Sequence, residues 1–436
     1  MSQALLLPQN DELRLVLHNE VHARPSARIA LPALVTYVAV LNEGISRAQE
    51  HAHLSALPGQ QHLALDELSG NFLRLRFDGF SLKWERHSEF TRYSIVQPLP
   101  AGTLPSAATL DALQPEVSAE WLSRIPGRTV AAMKVLMLER TMDSPAHAYR
   151  EGSAWFDDDA VFASTMGGWH SLVLADFQLR GTGFEHVVVI AEPGMPPSRA
   201  GRVCQRLLEL ETYRLMALRG LPVAKALTPM LSRAETQLAE ITEGLERRNV
   251  SESALLDALI ATAAQVEHAT AEHQYRFSAT EAYHAIVERR IAELHEGKLP
   301  GVQTLGEFMQ RRLSPAIATV SAAAGRLSGL SERIGRISAL LRTRVDIATE
   351  AQNQQLLSQL GEGQQTQLRM QATVEGLSLA AITYYVVSLV AYGLKALKTE
   401  GWLPISPELA TGLAVPLVLA GVWWTTRRIH RRFFGH

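Results

Sequence analysis

Two short runs in the N-terminal third of the chain bring together side chains that can bind a ligand or a metal ion. His18 and His22 stand four residues apart, with Glu20 between them and Arg24 just beyond. Two histidines at this spacing can bind zinc from one face of a helix. A zinc protease, however, needs glutamate directly after the first histidine, and Asn19 occupies that position. We therefore favour a structural role for this run, with a metal site as the alternative.

The second run is Trp84, Glu85, Arg86 and His87, in a segment that alternates apolar and polar residues as a β-strand does. These polar groups fit either a ligand cleft or an exposed strand face with an ion pair, and we favour the exposed face. The spacing suggests no Ser-His-Asp or Cys-His pairing for nucleophilic catalysis. We therefore predict neither an enzyme nor a cofactor, and we expect the lone cysteine, Cys204, to be a small core residue.

Composition limits which cellular compartments and which kinds of partner the chain fits. The chain has 436 residues, enough for roughly two to three domains, and its net charge of −2 gives no basic field for binding nucleic acid. A single cysteine excludes an intrachain disulfide and fits a reducing compartment. The N-terminal sequence MSQALLLPQNDELR has neither the basic nor the apolar segment of a signal peptide. We therefore expect the large N-terminal domain to stay in the cytoplasm.

Residues 1–197 predict a mixed α/β domain. Ala33–Leu41 is a β-rich apolar run, short enough for a buried strand. Asn71–Val96 alternates apolar and polar side chains, and Asp78-Gly79 marks a hairpin turn within it. Three further runs have the composition of strands: Val130–Leu138, Ser171–Leu179 and Phe184–Ile190.

Residues 198–313 predict a region of long helices, and residues 314–375 predict one stalk helix that begins at Ser314-Pro315. Apolar residues in the stalk step by three and four positions, as in a coiled coil: Leu327, Leu330, Ile334, Ile337 and Leu341. Extended through the apolar segment that follows, this helix would be about 120 Å long. A helix of that length cannot bury its seam alone, so it must pack on other long helices, on copies of itself, or on both.

Two uncharged segments near the C-terminus predict a transmembrane hairpin. Gly376–Leu394 has no ionisable side chain except tyrosines and would span roughly 28 Å as a helix, close to the thickness of a hydrocarbon core. Leu409–Thr426 is similar in length, and Trp423-Trp424 lies where aromatic residues meet the membrane interface. Buried core helices of a soluble protein are the alternative. The predicted segments are a first membrane helix at 376–396, an external loop at 397–408 and a second membrane helix at 409–426.

Flanking charge orients the hairpin. The tail at 427–436 contains the basic run Arg427–Arg432, whereas the segment between the spans balances its lysines with glutamates. Cytoplasmic flanks carry the excess of lysine and arginine, so the tail should lie in the cytoplasm and the loop outside. Two spans then place the N-terminus in the cytoplasm too. The predicted fold class is α+β: an N-terminal mixed α/β cytoplasmic domain, a long helical bundle and stalk, and a C-terminal two-helix transmembrane hairpin.

Four blocks of sequence are distinctive. They are LHNEVHARP (Leu17–Pro25), WERHSEFTRYS (Trp84–Ser94), ELETYRLMALRGLP (Glu209–Pro222) and TVEGLSLAAITYYVVSLVAYG (Thr373–Gly393). Together they resemble a bacterial membrane-anchored family known as domain of unknown function 3422, over nearly the whole chain. The resemblance implies a place in the bacterial inner membrane and implies no activity.

The order of the predicted elements is similar to that of CorA-type divalent-cation transporters. Such a likeness implies a homo-oligomer, a pentamer by analogy, whose stalk and first span line a pore. The CorA signature Tyr-Gly-Met-Asn would fall at the outer end of the first span, where this chain has Tyr392, Gly393, Leu394 and Lys395. The signature asparagine forms a neutral ring that binds a hydrated cation, whereas a ring of Lys395 would repel a divalent ion.

Two functions follow as hypotheses. The first is an oligomeric ion channel or transporter of CorA-like build, gated by its cytoplasmic domain, for an ion other than Mg²⁺. One face of Val374–Tyr392 would line the pore, with Gln367 and Gln371 below it and Lys395 at its mouth. The second is a non-conducting scaffold or sensor, anchored by the hairpin, whose cytoplasmic domain binds a protein or a small ligand. Membrane lipid and further copies of the chain are the expected partners.

Overall fold

The computed structural model describes residues 10–15, 17–18, 28–100, 102, 112–156, 161–247, 250–399 and 405–433, with side chains of the last helix as far as Arg428. Contacts divide the chain into two compact units, one ending at Ile337 and the other beginning at Ser338. The first unit combines a sheet with helices, and the second is helical where it is described. The predicted mixture of helix and strand is confirmed.

Nine strands form one mixed sheet in the first unit. In chain order they are β1 (Ala33–Leu41), β2 (Phe72–Arg76), β3 (Ser81–Arg86), β4 (Phe90–Pro98), β5 (Arg128–Glu139), β6 (Phe162–Met166), β7 (Ser171–Ala175), β8 (Glu185–Ala191) and β9 (Glu296–Gly297). Their order across the sheet is β2-β3-β4-β1-β5-β8-β7-β6-β9. β5 and β8 run parallel, and the other neighbours run antiparallel. Central β1 is buried along its whole length, which explains its continuous apolar sequence.

The helices follow in two groups. Short helices connect the strands, and long helices follow the sheet along the chain. In order they are α1 (Arg47–Ser55), α2 (Ala119–Ser123), α3 (Pro145–Ser153), α4 (Pro197–Leu218), α5 (Gly220–Arg247), α6 (Glu252–Leu294), α7 (Leu305–Arg312), α8 (Ser314–Thr399) and α9 (Pro407–Phe433).

Helices pack on both faces of the sheet. On one face, α4 and α6 join β1 and β5 in an apolar core that includes Met133, Leu207 and Val287. On the other face, α1 and α2 cover β3 and β4, where Trp84 and Trp121 belong to a second core. Helix α3 completes that face over β7 and β8. The sheet is therefore covered by helices on both sides, and polar side chains on its central strands are buried as well.

Gly220 lets two long helices come together. It opens α5 directly after α4 ends, and a Cβ at this position would lie 2.4 Å from Thr280 Oγ1 on α6. The Thr280 hydroxyl donates to the carbonyl of Ala217, 3.0 Å away, near the end of α4. Only glycine leaves room for this close approach. Gly220, at the junction of α4 and α5, therefore also allows α5 to pack closely on α6.

The predicted seam on α8 is buried. Leu327, Leu330, Ile337 and Leu341 are buried, and Ile334 is half-buried. Just before the seam, the Arg326 guanidinium binds Glu235 of α5 through two bonds of 2.8 Å. Within the first unit, the start of α8 thus packs on the long helices, as the sequence pattern requires.

The second unit contains the rest of α8 and, where it is described, α9. Both helices are long and apolar enough to span a membrane. Inside the protein, 6% of the most apolar window of the first helix and 0% of that of the second are buried. A core helix of a soluble protein would be mostly buried, so these apolar surfaces need lipid or another protein surface to cover them.

Several elements agree closely with the predictions and others differ. β1 has the predicted bounds, and β2 and β3 flank the predicted turn. β7 ends at Ala175, earlier than predicted, because Asp176 Oδ1 accepts a bond from the Gln178 backbone and Phe177 has a positive φ of 54°. These two features begin a turn. β6 and the two-residue β9 were not predicted.

Candidate functional site

The sheet face that α4 covers carries buried charges on β3 and β4. Glu85 stands directly opposite Arg92 in the strand register. The Arg92 guanidinium donates to this carboxylate from Nε over 2.6 Å and from Nη2 over 2.9 Å. Lys83 Nζ lies 3.0 Å from the same carboxylate. Three charges thus share a site that water hardly reaches, because all three residues are buried.

The charged cluster continues from the sheet into the helices. Arg92 Nη1 lies 3.3 Å from Glu209 of α4, and Arg290 of α6 donates to the other oxygen of Glu209 over 2.5 Å. Arg290 also donates to Glu293 over 2.9 Å, and Arg206 Nε lies 3.3 Å from the same Glu293 oxygen. We call this chain of alternating charges the ionic network: Lys83, Glu85, Arg92, Glu209, Arg290, Glu293 and Arg206.

Opposite charges hold the carboxylates of the ionic network ionised. Burial alone would raise the pKa of Glu85, but the attraction and hydrogen bonds of Arg92 and Lys83 outweigh it and lower that pKa to about 2. Burial likewise acts to raise the pKa of Glu209, and Arg92 and Arg290 among its partners lower it overall. Each buried carboxylate therefore depends on a neighbouring cation, and loss of that cation would leave a charge with no compensation.

The ionic network ends at a pocket beside the first turns of α4. Arg199, Arg202 and Arg206 follow one another at intervals of three and four residues and line a cavity of about 190 Å³. Among the described residues, Arg206 binds Glu293, whereas the guanidinium groups of Arg199 and Arg202 have no partner. We call this cavity the arginine pocket. Its walls also include Gly167, His170, Ser171, Glu293 and His295.

Ser171, which lines the arginine pocket, has a buried hydroxyl group. The residue is 1% exposed, and its hydroxyl has no hydrogen-bond partner in the described part of the chain. It begins β7, where its neighbours across the sheet are Met166 and Ala191. Buried hydroxyl groups nearly always have a partner, so the Ser171 hydroxyl has hydrogen-bonding capacity that the described chain does not use.

The run Trp84 to His87 does not form one cleft, because strand alternation sends its side chains to both faces of the sheet. Glu85 belongs to the ionic network, whereas Trp84 packs in the core under α1 and α2. On that second face, Arg86 donates to Glu50 over 2.6 Å. His87, just beyond the end of β3, stacks on Phe90, 4.6 Å away, and Phe90 belongs to the core on the α4 side of the sheet. The predicted ion pair is present, but the prediction of an exposed strand is wrong, since helices cover both faces.

Most of the N-terminal candidates lie outside the residues that the structure describes. His18 is described and exposed, whereas Glu20, His22 and Arg24 lie outside the described residues. In the part of the chain that the structure describes, no group of three or more His, Cys, Asp or Glu side chains could hold a metal ion. The metal hypothesis for this run stays a prediction. Cys204 is buried in the core under α4, as expected, and burial raises the pKa of its thiol to about 12.

Helix α8 carries a second candidate site, in the second unit. Small and polar residues recur there at intervals of three and four, which places them on one face of the helix. We call this face the polar stripe: Gln367, Gln371, Val374, Ser378, Ala381, Tyr385, Ser388, Tyr392 and Lys395. Apart from the half-buried Ser388, its residues are exposed. Of the predicted pore residues, Gly393 is exposed beside the stripe, and Leu394 is half-buried on another face.

Helix α9 lies toward the face of α8 opposite the polar stripe. Leu379, Thr383 and Val387 share that other face and are buried or half-buried. Gly376 and Leu379 of α8 line a cavity together with Trp423 and Thr426 of α9. The second helix of the hairpin therefore covers one face of α8, and the polar stripe on the opposite face stays open.

A family model described as "Protein of unknown function (DUF3422)" matches residues 9–433. The chain belongs to this family. The match confirms the resemblance seen in the four sequence blocks, and it includes the sheet, the ionic network, the arginine pocket and the polar stripe of this DUF3422 protein. No curated protein and no solved structure matches the chain.

The arginine pocket was not predicted from the sequence of the DUF3422 protein. Arg199, Arg202 and Arg206 show the helical spacing of a single face, which is the one local signal. His170 comes from the turn before β7, Ser171 begins β7, and His295 follows the end of α6. Only the fold of the sheet against α4 and α6 brings these distant segments together.

Proposed function

We propose that the protein is a two-pass integral membrane protein of CorA-like build, which forms a homo-oligomer and conducts an ion along α8. The polar stripe is the observation that carries this proposal. Polar and ionisable residues on a membrane helix nearly always face the inside of a helix bundle or a water-filled cavity. In a single copy the stripe faces away from α9, so its partner would be the same stripe of neighbouring copies around a central pathway.

The part of α8 between the seam and the apolar span supports an oligomer. Leu356, Leu357, Leu360 and Leu368 are exposed in the single chain. A helix without packing partners is only marginally stable in water, because most helix stability in proteins comes from packing an apolar face. Copies of α8 packed around one axis would cover these leucines and align the stripes. By analogy with CorA, the oligomer is a pentamer.

Charge supports the orientation. Arg427 and Arg428 open a basic C-terminal run, which supports a cytoplasmic C-terminus because cytoplasmic flanks carry the excess of lysine and arginine. With two spans, the sheet domain is cytoplasmic as well, at the inner membrane of a bacterium. Reporter fusions at the two termini would test this, because both should report the cytoplasm. A periplasmic signal from either terminus would contradict the proposed topology.

Lys395 sets the expected selectivity. A ring of lysines at the outer end of the pathway would repel divalent cations and would admit anions or a monovalent ion more easily. Mg²⁺ is therefore not the proposed substrate. The cytoplasmic domain would gate the pathway through the continuous helix α8, which begins in the first unit.

Ion flux through reconstituted liposomes tests the proposal. The Lys395→Asn variant should shift selectivity toward cations, because it removes one positive charge per subunit from the stripe. Arg369→Asn is the matched control: it removes one positive charge per subunit from an exposed position of α8 two residues beyond Gln367, on another face of the helix. No flux of any ion with the wild-type chain would contradict conduction, and the same selectivity in all three proteins would contradict a pathway lined by Lys395.

The arginine pocket supports a second candidate function, a non-conducting membrane-anchored scaffold or sensor. In that case the polar stripe would serve only to pack α8 copies against each other, and the sheet domain would bind a small ligand or a protein. A symmetric particle without ion flux, whose ligand binding survives substitution of the stripe, would favour the sensor.

A further inference from the structure

We propose that the arginine pocket is a binding site for a phosphate monoester, held by Arg199, Arg202 and Arg206. This inference goes beyond the proposed membrane function and does not rest on it. The site lies wholly in the first unit, and its test measures binding alone, without ion flux.

Uncompensated positive charge is the first argument. Three arginines line one cavity, the exposed Arg199 and Arg202 and the half-buried Arg206. Glu293 is the one carboxylate among the described residues that line it, and Glu293 also binds Arg290. Arg199 and Arg202 have no side-chain partner among the described residues. Cations that converge without counter-charges repel one another, and a dianion between them would relieve that repulsion. Guanidinium groups also match the oxygens of a phosphate in pairs, so arginine is favoured in phosphate sites.

The unpartnered hydroxyl of Ser171 is the second, independent argument. It is buried at the wall of the same cavity and lacks a partner in the described chain. A phosphate oxygen would accept its hydrogen bond, and the neighbouring His170 and His295 rings offer further donors. The hydroxyl and the arginines thus require the same kind of group, a compact anion with several acceptor oxygens.

The size of the cavity limits the ligand. Its volume of about 190 Å³ is smaller than the roughly 300–1,000 Å³ of sites for drug-sized molecules. It therefore suits a phosphate on a small alcohol rather than a whole nucleotide. Two sources supply this chemistry: a small soluble phosphate ester or the headgroup of an acidic phospholipid.

Arg206 connects the pocket to the ionic network. It lies 3.3 Å from Glu293, a long distance for a charged hydrogen bond, so a phosphate can compete for its guanidinium. Glu293 would then rely on Arg290, which also binds Glu209 of the same network. Ligand binding would therefore change the ion pairs of the network as far as the buried charges on the sheet.

Calorimetric titration of the full-length chain with inorganic phosphate tests the site. The protein would be held in phosphatidylcholine nanodiscs at fixed ionic strength. We expect saturable binding of one phosphate per chain, weakened at least about tenfold by the double substitution Arg199→Gln and Arg202→Gln. Arg233→Gln removes an exposed arginine from α5 and should leave the affinity unchanged. Ser171→Ala should weaken binding several-fold without lowering the melting temperature of the phosphate-free protein.

A second set of nanodiscs that contain phosphatidic acid identifies the source. If the lipid headgroup is the ligand, wild-type protein should take up phosphate in the neutral discs and not in the acidic ones. A soluble ester as ligand predicts equal uptake in both. Absence of saturable phosphate binding to wild-type protein in the neutral discs would overturn the proposal. Equal affinity of the double variant and the Arg233→Gln control would overturn it too.

Discussion

The two compact units differ in which side chains they bury. In the first unit, even charged residues such as Glu85 and Arg92 are buried, and each carboxylate of the ionic network meets a cation. In the second unit, leucines such as Leu360 and Leu377 are exposed. The ionic network of the first unit therefore pairs its buried charges within the chain, whereas the apolar side chains of the second unit depend on lipid or another protein surface to cover them.

Helix α8 shows the same contrast within one element. Leu330 is 1% exposed, and Leu340, ten residues further along, is 65% exposed. The residue type and the helix are the same, so the difference lies in what surrounds each side chain. Local sequence pattern alone does not show whether a leucine on a helix packs within its own chain or is covered by lipid or by another copy of the chain.

The largest expected effect is on solubility, and it comes from removing the two exposed apolar segments of the second unit. A chain that ends at Thr373 lacks both apolar segments that the second unit exposes. We expect it to stay in solution without detergent, whereas the full-length protein should require detergent or lipid. Ultracentrifugation after membrane extraction measures the difference. If the truncated chain remained in the membrane pellet, the contrast between the two units would be wrong.

The next largest effect on stability distinguishes an arginine that is paired with carboxylates, Arg92, from one without a described partner, Arg202. Arg92→Met leaves Glu85 and Glu209 buried without their main cation and should cost about 3–5 kcal/mol of unfolding free energy. Arg202→Met in the arginine pocket removes a guanidinium without a described partner and should change that free energy by less than about 0.5 kcal/mol.

Urea unfolding of the full-length protein, followed by tryptophan fluorescence, measures both arginine variants. Similar losses for Arg92→Met and Arg202→Met would mean that the pocket arginines are as tightly paired as those of the ionic network. The phosphate site would then lose its first argument.

The two leucines of α8 give a third test. Leu330→Ala should cost about 2–5 kcal/mol, because it opens a cavity in the seam. Leu340→Ala should change stability by less than about 0.5 kcal/mol, since its side chain has little protein around it. Thermal unfolding at several protein concentrations checks this. A large loss for Leu340→Ala that grows with concentration would reveal that another copy covers the residue.

Much of the fold could be predicted because local pattern decides it. β1 is apolar except for Thr36 and is bounded by Pro32 and Asn42, so its bounds needed no long-range information. The seam on α8 was readable because its period is that of a helix. By contrast, β9 has two residues and forms only by pairing Glu296 and Gly297 with β6, across more than a hundred residues of sequence.

The candidate site was less predictable than the fold. Glu85 was singled out from the sequence, but its partner Arg92 was not, since the cross-strand register had to be known first. The polar stripe could be traced in part, through Gln367, Gln371 and Lys395. That the stripe faces away from α9 depends on which side of α8 the second helix covers, and sequence period does not determine that side.

The smallest effect concerns a buried acid that lacks full compensation. Burial and the repulsion of neighbouring Glu211 raise the pKa of Glu185 to about 8, against the attraction of Arg214. Arg214 Nη2 lies 3.4 Å from Glu185 and binds Glu211 more closely, with Nε 2.8 Å from that carboxylate. Glu185 thus contrasts with Glu85, whose pKa its cations hold at about 2.

This raised pKa makes stability fall as pH rises. Between about pH 4.5 and 8 the unfolded chain releases the Glu185 proton while the folded chain keeps it, so unfolding becomes easier. Glu185→Gln mimics the protonated acid and should flatten this part of the pH profile, with a gain of at least about 1 kcal/mol at pH 8. Urea unfolding from pH 4.5 to 8.5 measures it, with the exposed Glu43→Gln as control. Parallel profiles for the wild type and Glu185→Gln would show that Arg214 compensates Glu185 as fully as Arg92 compensates Glu85.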